Sequence, residues 1–220
     1  RDTTSIYFGG SNTNLGITEP VAPTYLEAVR FTFNQARIWA DLSDRFYTYP
    51  GGKAAQARQA LTSEPTFGDV IAIGFSAGAD AVLIYADEFV PTAYSERLRS
   101  MILLGPTMAA TIDGSRTLHG SDLQYSEAER IPKESLSAGT NILVYDDAGG
   151  DDPTALYNRF QAPTEAGTGH YCYVNAPQRP HFDYNYSGLG TNDSTQLRDL
   201  ILEWERNPNN ETCNAIRNMP

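Results

Sequence analysis

Short apolar runs and longer stretches with helical spacing follow one another along the chain, separated by Gly, Pro and polar residues. Segments 5–8, 45–49, 69–75, 99–104, 141–145 and 170–175 have strand length. The run 69–75 is almost unbroken in its apolar character, as a strand covered on both faces must be. Between these runs, 24–39 repeats apolar residues at Leu26, Val29, Phe33, Ala36 and Ile38, which predicts a helix. Segment 53–61, rich in Ala, Gln and Arg, predicts a second, and 77–89 a third. A short helix is expected at 154–160. An amphipathic closing helix is expected at 194–206, with Leu197, Leu200, Ile201 and Trp204 inward. Strand and helix alternating in this way predict an α/β fold: a mostly parallel sheet of about six strands with helices on both faces. Only 107–139 breaks the rhythm. It is polar and weakly periodic, a candidate lid or pocket wall inserted into one domain spanning 1–220, and the chain has no internal repeat.

Composition narrows the function classes. The 220 residues, 40% hydrophobic and 11% aromatic, are enough for one packed domain. The net charge of −11 argues against a nucleic-acid or anionic-membrane partner, because phosphates would be repelled. Only two basic residues are Lys, Lys53 and Lys133, so no polybasic patch exists. The longest apolar runs, such as 70–75 and 101–104, fall far short of the ~20 residues that span a bilayer. The chain opens Arg1-Asp2-Thr3-Thr4, without an initiator Met or a signal peptide, and enters a strand pattern at Ser5. A mature or excised fragment would read this way, and so would an arbitrary boundary.

The chemistry-bearing motif is Gly74-Phe75-Ser76-Ala77-Gly78, a G-x-S-x-G sequence. It follows a buried strand and precedes a helix, the setting that a nucleophile elbow requires. A Ser on a sharp strand-to-helix turn stands clear of the sheet. Small residues must flank it, because a side chain at Gly74 or Gly78 would strike the neighbouring strand and helix. A helix starting at Ala77 aims its first N–H groups at a developing oxyanion. The bland alternative is a tight βα turn that happens to use Ser.

With this motif in this context, nearly the whole chain resembles the α/β-hydrolase superfamily. The sheet looks shortened at its N-terminal end, comparable to the small cutinase-like and lipase-like members, but it lacks their cysteine pattern. The resemblance implies a triad in the order Ser, acid, His, with the His in a loop after the last strand. Ser76 would be the nucleophile and His181, after strand 170–175, the base. Pro177 and Pro180 would stiffen that loop. His119 lies in the irregular insertion, and His170 at the end of the sheet away from Ser76. The resemblance also implies two oxyanion donors. Gly10, in Phe8-Gly9-Gly10-Ser11-Asn12, stands in the place of the first, and Ala77 would supply the second.

The acid is left among several residues of Asp146-Asp147-Ala148-Gly149-Gly150-Asp151-Asp152. The family's acid commonly sits about three residues past the strand end, where this chain has Gly149. Asp147 is the first choice, Asp151 and Asp146 the alternatives, and Asp113 a more distant one. The carboxylates could equally form a solvated turn, or a calcium loop, although their oxygen spacing is irregular for one.

The expected activity is hydrolysis of a carboxylic ester through an acyl-enzyme, with no metal and no organic cofactor. The expected partner is a small ester or acyl substrate of a monomer. A thioesterase-like domain excised from a larger synthase is one alternative, and a non-catalytic binding module on the same fold is another. The charges Asp122, Glu127, Glu129 and Arg130 in the insertion make a greasy membrane-docking lid a poor fit, which leaves a soluble ester or thioester.

Cys172 and Cys213 are the only cysteines, and neither has zinc-site spacing. Two buried free thiols are one reading. In a parallel sheet, however, Cys172 lies low on its strand, and the closing helix of about 20 Å returns the C-terminal tail to that same edge. The expected disulfide, with N-x-S/T sites at Asn185, Asn192 and Asn210, points to a secreted or extracytoplasmic protein.

Overall fold

Six parallel strands form one sheet in the order β2-β1-β3-β4-β5-β6. The strands are β1 (Thr3–Phe8), β2 (Arg45–Tyr49), β3 (Asp69–Phe75), β4 (Arg97–Leu104), β5 (Asn141–Asp146) and β6 (Tyr171–Asn175). The helices are α1 (Ala54–Ser63), α2 (Ala77–Phe89), α3 (Asn192–Arg206) and α4 (Asn210–Arg217). This computed structural model describes residues 3–10, 43–49, 54–63, 68–89, 97–106, 134–135, 138–147, 170–179 and 192–219. The helices expected at 24–39 and 154–160, and nearly all of the insertion 107–139, lie outside the described residues.

Two apolar layers sandwich the sheet. Ile6, Phe8, Val70, Ala72, Met101, Leu103, Ile142 and Val144 pack on one face beneath Ala57 and Ala60 of α1 and most of α2. Tyr7, Ile71, Ile73, Ile102, Leu104, Leu143 and Cys172 pack on the other, against Leu197, Ile201 and Trp204 of α3 and Cys213 and Ile216 of α4. Successive strand residues thus serve opposite layers, which is why these strands read as continuous apolar runs. The α/β fold expected from the sequence is the one observed. Among the described residues, no helix is long and apolar enough to cross a membrane.

One strand departs from strict alternation for a physical reason. Leu98 and Met101 share the face under α1 and α2 although an odd number of positions separates them. The pairing with β3 runs Val70 to Leu98 and then Ile71 to Ser100, so Arg99 is an extra, bulged residue. The bulge lets Arg99 and Ser100 both reach Glu205 at the end of α3. Arg99 Nε lies 2.8 Å from Glu205 Oε1, and the Ser100 hydroxyl donates to the same oxygen at 3.0 Å. The Thr140 hydroxyl satisfies the Leu98 carbonyl beside the bulge at 2.7 Å. Glu205 is 1% exposed, so its charge depends on these donors. Burial pushes its carboxyl above the ordinary glutamate range, while Arg99 and Ser100 pull it back down.

The C-terminal tail is a helix. Asn209 caps α4 by accepting from the Thr212 N–H at 2.9 Å, while Thr212 Oγ1 accepts from the Asn209 N–H at 3.2 Å. Cys213, on the buried side of α4, stands at bonding distance from Cys172, with Cα atoms 5.6 Å apart. Arg217 Nε donates to the Tyr173 carbonyl at 2.9 Å, covering a backbone acceptor of the edge strand β6.

Two outcomes follow for stability. The bridge closes a loop of 41 residues, so Cys213→Ser should cost about 4 kcal/mol in urea unfolding. A loss under about 1 kcal/mol would mean that the bond does not constrain the chain. Arg99→Ala leaves the buried Glu205 carboxylate poorly compensated and should cost about 3 kcal/mol at pH 8. Because the folded state raises the Glu205 pKa, this group's contribution falls as pH rises above the unfolded value. The penalty of Arg99→Ala should therefore shrink as pH falls and Glu205 takes up a proton. A penalty that does not change as pH is lowered from 8 would contradict this account of the pair.

Candidate active site

The strand order reverses between β1 and β3: from β1 the chain moves outward to β2, and from β3 it moves the opposite way through β4, β5 and β6. Neighbouring strands whose continuations diverge leave a crevice beyond their carboxyl ends, the usual ligand position of an open α/β sheet. Gly9 and Gly10 leave β1 at this point, and Ser76 leaves β3 beside them.

Ser76 is held in an unusual conformation. Its φ is 57°, the one positive value at a non-glycine residue among the described residues. An L-residue there costs about 1–2 kcal/mol, so surrounding contacts must enforce it. The Ser76 N–H donates to the Leu104 carbonyl of β4 at 2.9 Å, and the Ala79 N–H donates back to the Ser76 carbonyl at 3.0 Å. The Gly9 N–H extends the β1–β2 ladder onto the Tyr49 carbonyl at 2.9 Å. Below the turn, Phe8 stacks on Tyr49 with ring centroids 5.5 Å apart and tilts against Tyr85 of α2 at 6.1 Å. Both sides of the crevice are thereby fixed to the core.

The glycines show how tightly the turn is built. A Cβ on Gly74 would lie 2.1 Å from the Gly78 carbonyl oxygen, and one on Gly78 would lie 2.0 Å from the Phe8 carbonyl oxygen. Backbone meets backbone at both points, so no side-chain movement can relieve the overlap. Gly10 is different. A Cβ there would touch Phe75 at 3.1 Å and Ser76 Cβ at 3.2 Å, which places Gly10 directly against the serine. Ala77, the residue after Ser76, begins α2.

The other expected site residues divide into two groups. Asp146 and Asp147 both sit at the carboxyl end of β5, two strands from β3 and so about 10 Å along the sheet, and both are buried. Asp146 accepts a 2.5 Å hydrogen bond from the Tyr173 hydroxyl, and its backbone carbonyl accepts from the Ala176 N–H at 2.7 Å. Burial raises the Asp146 carboxyl above the usual aspartate range; the Tyr173 hydroxyl opposes this and the Asp147 charge adds to it. After β6 the chain turns at the same edge, with the Arg179 N–H bonded to the Ala176 carbonyl at 3.0 Å. His181, two residues further on, lies outside the described residues, as do Asp151, Asp113 and His119. His170 precedes β6 at the opposite edge, exposed, with Nδ1 2.7 Å from Asn141 Oδ1. It is remote from Ser76.

Sequence reasoning singled out neither Tyr173 nor Asp80. Asp80, fully buried in the first turn of α2, is the lone charge in the otherwise apolar stretch 77–86, and that was its signal. Tyr173 becomes visible only once β5 and β6 are paired. Among the described residues, no group of three or more His, Cys, Asp or Glu side chains could hold a metal ion.

The arrangement presents a strained serine, a helix N-terminus, a glycine-lined backbone and two buried carboxylates along one sheet edge. No family model and no curated protein sequence matches this chain, so the meaning of the site rests on that geometry.

The backbone contacts at Gly78 predict a difference between glycines. Gly78→Ala should cost more than about 3 kcal/mol or prevent folding, whereas Gly10→Ala should cost under about 1.5 kcal/mol. Thermal unfolding of the two variants distinguishes them, and equal losses would refute this description of the turn.

Proposed function

We propose that this chain is a serine hydrolase of the α/β-hydrolase kind, cleaving a carboxylic ester through an acyl-enzyme. One observation carries the reading: a serine forced to positive φ between β3 and α2, at the point where the strand order reverses, with Gly10 against it. A turn with only a structural role is better served by glycine, which adopts this conformation without steric strain.

In this reading Ser76 Oγ attacks the ester carbonyl as His181 takes its proton. The N–H groups of Gly10 and Ala77 hold the resulting oxyanion, and His181 returns the proton to the departing alcohol. Water, deprotonated by the same imidazole, then cleaves the acyl-enzyme and releases Ser76 and a carboxylic acid. Asp147 orients and stabilises the imidazolium. Asp146, whose carboxylate accepts from the Tyr173 hydroxyl, is the alternative acid. The substrate proposed is a small soluble ester or thioester. The Cys172–Cys213 pair supports an oxidising, extracytoplasmic location, where such a bond persists.

Hydrolysis of p-nitrophenyl acetate by the wild type and by Ser76→Ala tests the reading. The variant should fold normally and lose on the order of 10⁴-fold or more in kcat. A variant that keeps the wild-type rate would eliminate Ser76 as the nucleophile.

A further inference from the structure

Three Asn-x-Ser/Thr sequences stand in the chain, and they have different settings. Asn185 lies outside the described residues, and Asn192 opens α3. Asn210, of Asn210-Glu211-Thr212, is the first residue of α4 and is exposed, as is Glu211 beside it. Helix α3 brings the chain to the amino-terminal edge of the sheet, where Glu205 meets Arg99 and Ser100, whereas Ser76 leaves the carboxyl edge. Asn210 follows Glu205 by five residues. A bulky hydrophilic group on it would stand in solvent, away from the serine site and off the side of α4 that buries Thr212, Cys213 and Ile216.

The two neighbouring asparagines have separate duties. Asn209 makes the cap, its side-chain oxygen accepting from the Thr212 N–H. The Thr212 hydroxyl is buried in the same cap, 2.9 Å from the Asn207 carbonyl and 3.1 Å from that of Asn209. That hydroxyl is also the part of an Asn-x-Thr sequence that makes its asparagine an acceptor. It cannot serve both ends at once, so a transferring enzyme has to read it while 207–212 is still open chain. We propose that Asn210 is an N-linked glycan acceptor, modified before α4 folds and Cys213 bonds to Cys172. The step joins the Asn210 side-chain nitrogen to the anomeric carbon of an oligosaccharide carried on a lipid pyrophosphate. The bond from that carbon to the pyrophosphate oxygen breaks, the amide nitrogen gives up a proton, and nothing is oxidised or reduced. Asn209 and Thr212 then close the cap, and the glycan stays on the exposed side of α4. This rests on the extracytoplasmic reading, because donor and transferase face the oxidising compartment in which the disulfide forms.

Secretion of the full chain from a eukaryotic cell, behind a cleavable signal, tests the site. Peptide mapping after enzymatic release of N-glycans should find the aspartate that release leaves behind at position 210. Asn210→Gln should lose that glycan and still fold, since Asn209 and Thr212 keep the cap; should it not fold, the mapped wild-type peptide decides alone. The order of events has its own readout. A lumenal transferase preparation supplied with a lipid-linked oligosaccharide should modify Asn210 in the reduced, unfolded chain and leave the folded, oxidised protein unmodified. An unmodified Asn210 in a secreted chain whose Cys172–Cys213 bond is intact would overturn the acceptor role. Equal modification of folded and unfolded protein would overturn the order. Two titratable thiols in the secreted chain would instead contradict the extracytoplasmic reading, and this inference would fall with it.

Discussion

Everything at the proposed site depends on three backbone segments meeting without side chains between them. Gly78, in the first turn of α2, lies against the Phe8 carbonyl at the end of β1, and Gly74 lies against Gly78 itself. This contact draws the helix onto the ends of β1 and β3 and leaves the intervening Ser76 no room to relax from its left-handed conformation. The strain costs about 1–2 kcal/mol, and the core beneath offsets it. Phe8, Tyr49 and Tyr85 fill that core, so the geometry is fixed by packing that lies outside the chemistry.

The opposite edge of the sheet is held by different forces. The bulge at Arg99 turns two polar side chains toward Glu205, and the Cys172–Cys213 link fastens α4 to β6. A buried ion pair of this kind contributes little net stability, but it makes other placements of α3 costly. The two edges are connected through the strands, most directly through Tyr173, which adjoins the crosslink and also contacts a carboxylate at the far end of β5.

Much of this was legible in the sequence because the strands are covered on both faces. Continuous apolar runs such as 69–75 betray a parallel sheet, and the leucines and tryptophan of 194–206 mark a helix with one buried side. The G-x-S-x-G spacing could be read in advance because backbone contact excludes a Cβ at both glycines, and that exclusion leaves its mark on composition. The helix Asn210–Arg217 was not legible: it is short, and a threonine takes the capping role usually held by Glu or Gln. Nor were the buried partners of Arg99 and Asp146. A bulge flips the phase of β4, and a hydrogen bond between β5 and β6 depends on register, which local sequence does not encode. The assignment of His181 as the base is a sequence-derived part of the proposal.

The central claim is that Ser76 is a nucleophile activated by its surroundings rather than a turn residue. Treating the folded, oxidised protein with a fluorophosphonate and mapping the adduct by peptide mass spectrometry tests it most directly. The account predicts one adduct per chain, on Ser76, formed by folded protein and abolished by prior unfolding. An adduct on another residue, or none under conditions that label a known serine hydrolase, would contradict it.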